Sequence, residues 1–327
     1  MANTGNTTAF IESQQYSQFI LDNLHDYLLP EGMWRDVTDF GSGTTLNVKT
    51  VGTVSLQDAA EDTPLNFHDI DTGTLTLSIT DYVGDAWKVT DDLREDGSQI
   101  DTLMSMRAME STRALGENHE SKFLNVANAA QTAADVNLVN GRPHRWVAGG
   151  SGGTSRKITL SDFVAMKLSF DKANVPAGGR IAIVDPIVEA TLNGLISLQT
   201  VVDNTPQFQG ILNEGFARDH KFVRNIMGFD VYTSNFLHSV TVTEDINAAA
   251  YGLADDVSVV GNKANVFMCV ADDSCKPLMH AWRRAPQTEG WRDNEERADK
   301  YQVTSRYGFG AQRLDTLGVI ITDHASY

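Results

Sequence analysis

The groups that could do chemistry in this chain are scattered rather than assembled. Its eight histidines (His25, His68, His119, His144, His220, His238, His280 and His324) form no H-E-x-x-H, H-x-H or Cys/His cluster, so no zinc-type ligand set can be read. Cys269 and Cys275 are the only cysteines. Their C-x5-C spacing matches no common zinc pattern, and they read as two ordinary buried or half-buried thiols. Two cysteines imply no disulfide framework and fit a reducing compartment. No G-x-S-x-G elbow is present to set up a serine nucleophile. Asp91-Asp92, Asp255-Asp256, Asp272-Asp273 and Glu295-Glu296 are paired acids of the kind a two-carboxylate hydrolase uses. Adjacent acids on turns are more often solvated charge. The glycine-rich, then basic, segment AGGSGGTSRK at 148–157 lacks the G-x-x-x-x-G-K-[ST] order of a phosphate loop and reads as a flexible surface turn. The expectation is therefore no catalytic residue, no cofactor, no metal and no enzyme.

Charge says more. The chain has 327 residues and a net charge of −17, which disfavours a protein whose main task is gripping nucleic-acid phosphates. Residues 56–101 hold twelve acids against only Lys88 and Arg94. Residues 142–181 carry seven Lys/Arg against Asp162 and Asp171, and 276–313 carry eight against five acids. Acidic and basic segments are thus segregated along the sequence. Hydrophobic residues make up 41% and charged residues 21%, ordinary values for a folded protein of two or more lobes. No apolar run approaches the ~18 residues needed to span a bilayer, and the first ten residues lack the basic start of a secretory signal.

These charges must be carried by definite elements. Residues 15–29 predict a short helix in an arm, stopped by Pro30. Leu46, Val48, Thr50, Gly52, Val54 and Leu56 alternate in one phase. Leu75, Leu77, Ile79, Asp81, Val83, Asp85, Trp87 and Val89 keep a second phase for longer. Period two is the strand signature. The pair reads as a long hairpin with an acidic tip at 58–73, spanning 43–92. A ribbon of that length needs a surface to lie on, either a larger sheet of the same molecule or another subunit. Ser98 can cap a helix from Gln99 to about Gln131 with only Gly116 as an interior weak point, a rod of ~50 Å. Ile100, Leu103, Met104, Ala114 and Leu115 form its stripe, drifting to Phe123, Val126 and Ala130. Residues 140–155 read as a loop. Ser161 caps a helix through about Ala173, broken by Ala177-Gly178-Gly179. Then RIAIV at 180–184 is a buried strand, with Asp185 as cap and Pro186 as first residue of the next helix, whose inner face is Val188, Leu192, Leu195 and Ile196. Residues 229–234 and 266–271 read as further strands of this α/β lobe, with 206–219 a loop. Two strands, 300–307 and 311–323, close the chain, joined by a turn at Gly308-Phe309-Gly310. The second is apolar in both phases, so covered on both faces.

The order of these parts resembles the major capsid proteins of tailed phages, with the Hong Kong 97-type fold. Three segments carry the likeness. RIAIVDP at 180–186 is similar to the family's hydrophobic strand, Asp/Asn/Ser-Pro and helix. MGFDVYTSN at 227–235 resembles its G-x-x-V-x-x-S strand. ADKYQVTSRYGFGAQRLDTLGVII at 298–321 resembles its closing Y-G-x-x-x-x-R-P-D-x-x-V-x-I strands, with Leu314 where a proline is common. The resemblance implies an α+β capsid fold divided into an N-terminal arm (1–42), an extended hairpin loop (43–92), a spine helix and first part of a peripheral domain (93–174), an axial domain (175–275) and the C-terminal strands of the peripheral domain (276–327).

It also implies a function: self-assembly, through pentamers and hexamers, into the icosahedral shell around a double-stranded DNA genome. The location implied is the virion, after assembly in the bacterial host cytoplasm. A long cleavable segment before the arm is not seen, which implies a separate scaffolding protein. A portal, a decoration or cement protein and non-specifically held DNA complete the implied partners, with no membrane. The expected interface sets Asp58, Glu61, Asp62, Asp69 and Asp71 of one hairpin against Arg283, Arg284, Arg292, Arg297 and Arg306 of a neighbour. Alternatives are an encapsulin-like compartment, an acidic α/β enzyme and a β-rich adhesion or tail component.

Overall fold

The computed structural model describes residues 28–323 except 31, 39–42, 53–55, 60, 62–68, 70–71, 98–99, 132–137, 150–155, 193–221, 241–243, 246–248, 254–255 and 258–261. The arm helix expected at 15–29, apart from Leu28 and Leu29, lies outside the described residues. So do the Ser98 cap, Leu195 and Ile196, the 206–219 loop, most of the glycine-rich turn, and Asp62 and Asp71.

A short strand β1 (Arg35–Asp36) opens the described chain. β2 (Thr45–Val51) and β3 (Thr72–Ser78) pair antiparallel, from Thr45 opposite Ser78 to Val51 opposite Thr72. β4 (Asp81–Thr90) follows after only Ile79 and Thr80. Alternation is unbroken from Leu75 to Thr90, odd residues turned inward and even ones exposed. The pairing nevertheless changes partner. β3 stays with the hairpin, whereas β4 joins the subunit's own sheet beside a late strand. The expected ribbon over 43–92 is therefore corrected to a hairpin of β2 and β3 alone. A strand can bend between two sheets without shifting its two-residue phase, so periodicity could not reveal the change.

Helix α1 (Asp91–Asp96) leads into α2 (Ile100–Ala130), 31 residues and about 45 Å long. Its expected stripe holds only in part. Leu103 and Met109 are 51% and 56% exposed, while Phe123, Leu124 and Ala127 are fully buried. After it, β5 (Leu138–Val139) and β6 (Arg142–Pro143) form a tight hairpin whose turn, Asn140-Gly141, has both φ angles positive, at 49° and 75°. An Asn-Gly pair suits that left-handed turn. β7 (Arg145–Val147) is wholly buried. The loop expected over 140–155 thus contains a core strand, too short to show a period.

Helix α3 (Leu160–Lys172) is capped by Thr159 rather than Ser161, because the Asp162 carboxylate accepts from both the Thr159 backbone N–H (2.8 Å) and its hydroxyl (2.7 Å). β8 (Arg180–Val184) is buried along its whole length. Asp185 accepts from the Ile187 N–H at the start of α4 (186–192). β9 (Phe222–Ile226) and β10 (Phe229–Thr233) make a hairpin, and β11 (Glu244–Asp245) pairs with β12 (Asp256–Val257). β13 (Lys263–Cys269), β14 (Leu278–Asp293), β15 (Ala298–Ala311) and β16 (Leu317–Thr322) complete the chain.

Two sheets result. One has the order β1-β14-β15-β4, the other β7-β16-β13-β8-β10-β9. β14 tolerates Pro286 because its ladder is irregular between Arg284 and Gln287. The last described strand, β16, lies inside the six-stranded sheet between β7 and β13, so residues 317–322 belong to that sheet and not to the four-stranded one with β15. All six are buried, as expected of a strand covered on both faces. Side chains alternate through this sheet. Ala182 and Val184 meet α3 through Phe163, Met166 and Phe170. Ile181 and Ile183 face the opposite way, in a cluster with Phe123 and Leu124 of α2, Leu278 of β14, and Tyr307 and Phe309 of β15.

Gly308-Phe309-Gly310 is a crossing rather than a turn. β15 runs straight through it, and the hairpin root lies on top. A Cβ at Gly308 would stand 2.9 Å from Ile79 Cα and nearer still to the Ser78 carbonyl oxygen; one at Gly310 would stand 2.9 Å from Leu77 Cδ1. Leu77 and Ile79 bury there with Met279 and Ala281. Beside this crossing, His119 and His280 place their Nε2 atoms 3.1 Å apart, one imidazole donating to the other. Trp34 of the arm, Trp282, Tyr307 and Phe309 ring them at centroid distances of 4.8–6.2 Å.

Gly308→Ala should cost about 1–3 kcal/mol, since backbone must move to admit the methyl group. A lowered urea midpoint for the subunit checks it. The histidine pair predicts a pH dependence. Burial pushes both imidazoles down to about 4, with His280 repelling His119 and Asp36 partly opposing the drop at His280. The unfolded chain takes up these protons below about pH 6.5, so stability is full above that pH and falls as pH drops toward 4. The slope is about 1.4 kcal/mol per pH unit for each histidine. His119→Gln should roughly halve the slope in denaturant titrations between pH 6.5 and 4.5.

Candidate assembly interface

The acids and arginines expected to meet across subunits occupy distinct places within one chain. Asp58, Glu61 and Asp69 are exposed, beyond the paired part of the hairpin. Leu56, among them, is 95% exposed, so the apolar alternation of the first run ends with β2. Residues 52–71 contain five acids and no Lys or Arg. The seven-pair ladder, at ~3.3 Å per residue, holds this end about 20 Å from the root.

The acids farther along are already engaged. Asp81 accepts from Lys122 Nζ at 2.9 Å and Asp85 from Arg107 Nη2 at 2.7 Å, tying β4 to α2. The Ser111 hydroxyl also donates to Asp85. Asp91 takes Arg292 in a fork, Nη1 to Oδ1 and Nη2 to Oδ2, both at 2.6 Å. That guanidinium holds the Asp91 carboxyl below the usual carboxylate range and is itself pushed up. Around it, Asp299 accepts from Arg94 and Arg292, Glu296 from Lys88 and Lys300, and Asp293 from Lys300. Glu296 is lowered by Lys88 first and then Lys300, and Asp293 by Lys300 first. Each exposed pair is worth only ~0–1 kcal/mol; together they fix the β14–β15 turn against β4 and α1.

The five candidate arginines therefore divide. Arg292 is committed to Asp91 and Asp299 within the subunit. Arg297 sits in the adjoining turn at φ +49°, its carbonyl accepting from the Asp91 N–H. Arg283, Arg284 and Arg306 gather about 25 Å back along the ladder, around an open cleft of ≈ 520 Å³ completed by Thr80 and Tyr82. Arg284 stands directly opposite Arg306 across β14 and β15, and Arg306 opposite Tyr82 across β15 and β4. Like charges opposed in a ladder are unfavourable unless an anion lies near. Arg284 has two weak local contacts, Thr304 Oγ1 at 3.2 Å and Glu289 Oε1 at 3.7 Å.

Sequence reading named all three arginines but missed Thr80 and Tyr82, which only the strand register brings in. It also missed Glu120. This buried carboxylate accepts from the Leu29 N–H at 2.7 Å and from the Ser234 hydroxyl, joining arm, spine helix and the end of β10. One turn away, Gly116 leaves room for Leu28, whose Cδ1 would lie 2.7 Å from a Cβ there. A helix-interior glycine at that position was the available signal. Among the described residues no group of three or more His, Cys, Asp or Glu could hold a metal ion.

Thr80 and Tyr82 lie just past the hairpin root, so the basic cleft adjoins the base of the same hairpin whose far end is acidic. Solved structures share the fold. The chain is similar to the capsid protein of cyanophage P-SCSP1u at 15% identity and TM-score 0.70, covering 99% of this chain and 97% of that one. It is similar to the mature capsid of bacteriophage PhiM1 at 12% identity and TM-score 0.67, covering 96% and 93%. For Mycobacterium phage Che8 the values are 15%, 0.62, 95% and 97%. No curated protein matches. The model of the phage capsid protein family matches residues 72–322. The chain belongs to the phage capsid protein family, as a major capsid subunit of the Hong Kong 97-type fold.

Proposed function

We propose that this subunit builds its shell by seating the acidic end of its hairpin in the basic cleft at the root of the next copy's hairpin. One observation carries the reading: exposed acids lie past one end of the β2–β3 ladder, and three arginines of the four-stranded sheet line a cleft beside its other end. Complementary ends on one molecule make a heterologous contact, which repeats head to tail and closes into rings. Pentameric and hexameric rings then tile a closed shell. Each ion pair is weak, but many repeat around every ring, so register is set by their sum. The family favours a viral head over an encapsulin-like compartment, and its role is structural rather than enzymatic.

In the same reading the subunit assembles in the bacterial host cytoplasm with a separate scaffolding protein and a portal, and a decoration or cement protein can clamp the outside. An overall charge of −17 suits DNA that is enclosed without being gripped.

Asp58→Lys, Glu61→Lys and Asp62→Lys together should lower particle yield by about tenfold or more, measured by sedimentation, with the subunit's circular dichroism unchanged. Adding Arg283→Glu and Arg284→Glu to the same chain should restore particles. Normal particles from the triple variant, or no rescue by the five-fold variant, would sink the charge-pairing mechanism.

A further inference from the structure

A regular strand sends neighbouring side chains to opposite faces, yet Arg283 and Arg284 line one cleft. The ladder between β14 and β15 is what allows it. Trp282 stands opposite Tyr307 and Arg284 opposite Arg306, so the register shifts between them and Arg283 is one extra residue in β14. A bulge of this kind re-aims a side chain, and here it turns two consecutive arginines toward a third. Directly paired positions share a face. Arg284, Arg306 and Tyr82 therefore form one row across β14, β15 and β4, with neighbouring strands ~4.8 Å apart. Asp81, one residue before Tyr82, is turned the other way and is held by Lys122 of α2.

Every side chain lining the cleft (Thr80, Tyr82, Arg283, Arg284 and Arg306) can donate a hydrogen bond, and none is acidic. Arg306 is half-buried, and among the described residues no hydrogen bond or ion pair engages its guanidinium. The nearest carboxylate to Arg284 is that of Glu289 at 3.7 Å, whose other oxygen accepts from Gln302 at 2.9 Å. Like charges held this close are unfavourable until an anion lies among them. A guanidinium offers its N–H groups as a planar fork that fits two oxygens of a carboxylate or a phosphate. One carboxylate has a single such edge. Phosphate spreads its charge over oxygens that point in several directions, so it can meet guanidiniums of β14 and β15 and the hydroxyls of Thr80 and Tyr82 together.

We propose that this cleft is an oxyanion site that takes inorganic phosphate on the unassembled subunit, and that phosphate competes there with a neighbour's hairpin. The site stands on the cleft alone; the competition rests on the hairpin reading. While phosphate is bound, the guanidiniums that would receive Asp58, Glu61 and Asp62 of the next copy are engaged. Phosphate thereby sets how many subunits are open to a neighbour. A nucleic-acid phosphodiester has related chemistry, but it brings a long polyanion to a chain of net charge −17, which the overall field disfavours.

The test is calorimetric titration of the purified full-length subunit, before assembly, with sodium phosphate near neutral pH. Sodium chloride at matched ionic strength and a short DNA duplex are the comparison titrants. Phosphate should bind saturably and chloride should not. Arg306→Ala should weaken phosphate binding by about ten- to a hundredfold, the scale of a lost charged hydrogen bond. Arg283→Ala, at an exposed bulge position, should weaken it several-fold with circular dichroism unchanged. The triple hairpin variant Asp58→Lys, Glu61→Lys, Asp62→Lys should bind phosphate at least as tightly as the unaltered chain. Saturating phosphate should lower particle yield in sedimentation relative to chloride at the same ionic strength. No saturable phosphate binding, binding that both arginine variants leave unchanged, or a duplex that binds through Arg306 when phosphate does not, would each overturn the site. Phosphate that binds yet leaves particle yield at its chloride value would overturn the competition. Failure of the hairpin charge reversal with phosphate binding intact strikes the hairpin reading alone, so the two failures are distinguishable.

Discussion

The burial of Phe123, Leu124 and Ala127 is the contact on which the rest depends. These residues occupy one end of a 31-residue helix, and the cluster around them draws from the arm, both sheets and the last strand. Burying a Phe or Leu side chain contributes about 1.5–3 kcal/mol, but the placement matters more than the sum. The same few side chains are the floor of the six-stranded sheet and the support of β14 and β15. Toward its other end the helix is held to β4 mainly by polar contacts, through Arg107 and Ser111 to Asp85, and there Leu103 and Met109 stand exposed while Leu124 does not.

From that fixed seat the acidic segment is split between two tasks. Asp81, Asp85 and Asp91 have cations of the same chain within 3 Å and bind β4 to the helix and to the β14–β15 turn. Asp58, Glu61 and Asp69 stand past the ladder. Composition shows one run of negative charge; the fold makes it an internal fastening followed, in space, by an outward-facing end. The hairpin can reach away from the body because its root is pinned where Gly308 and Gly310 let two backbones touch.

Much of this was legible in residues alone. Alternation from Leu75 to Thr90 matches the exposure of every side chain in that stretch, and the long helix, the buried RIAIV strand and its Asp-Pro exit stand where expected. Four features were hidden, each for a physical reason. A strand that bends from one sheet to another keeps its phase, so the split between β3 and β4 left no mark. Two glycines flanking a phenylalanine look like a turn when they are in fact a crossing, because turns and close approaches both need a missing Cβ. Arg145–Val147 is too short to display any period. For the arginines, residue type said which could bind an anion, but only register said that Arg292 already had one and that Arg284 faces Arg306.

The position of β16 has a consequence for timing. Val319 lies opposite Arg145 on one side and Val266 on the other, so β7 and β13 are joined into one sheet only through β16, the last of the described strands. Contacts so distant in sequence form late in folding. Until then the floor beneath Phe123 lacks Leu317 and the lobe is open. The six-stranded sheet therefore closes only when Arg145 and Val319, 174 positions apart (319 − 145), have been brought side by side.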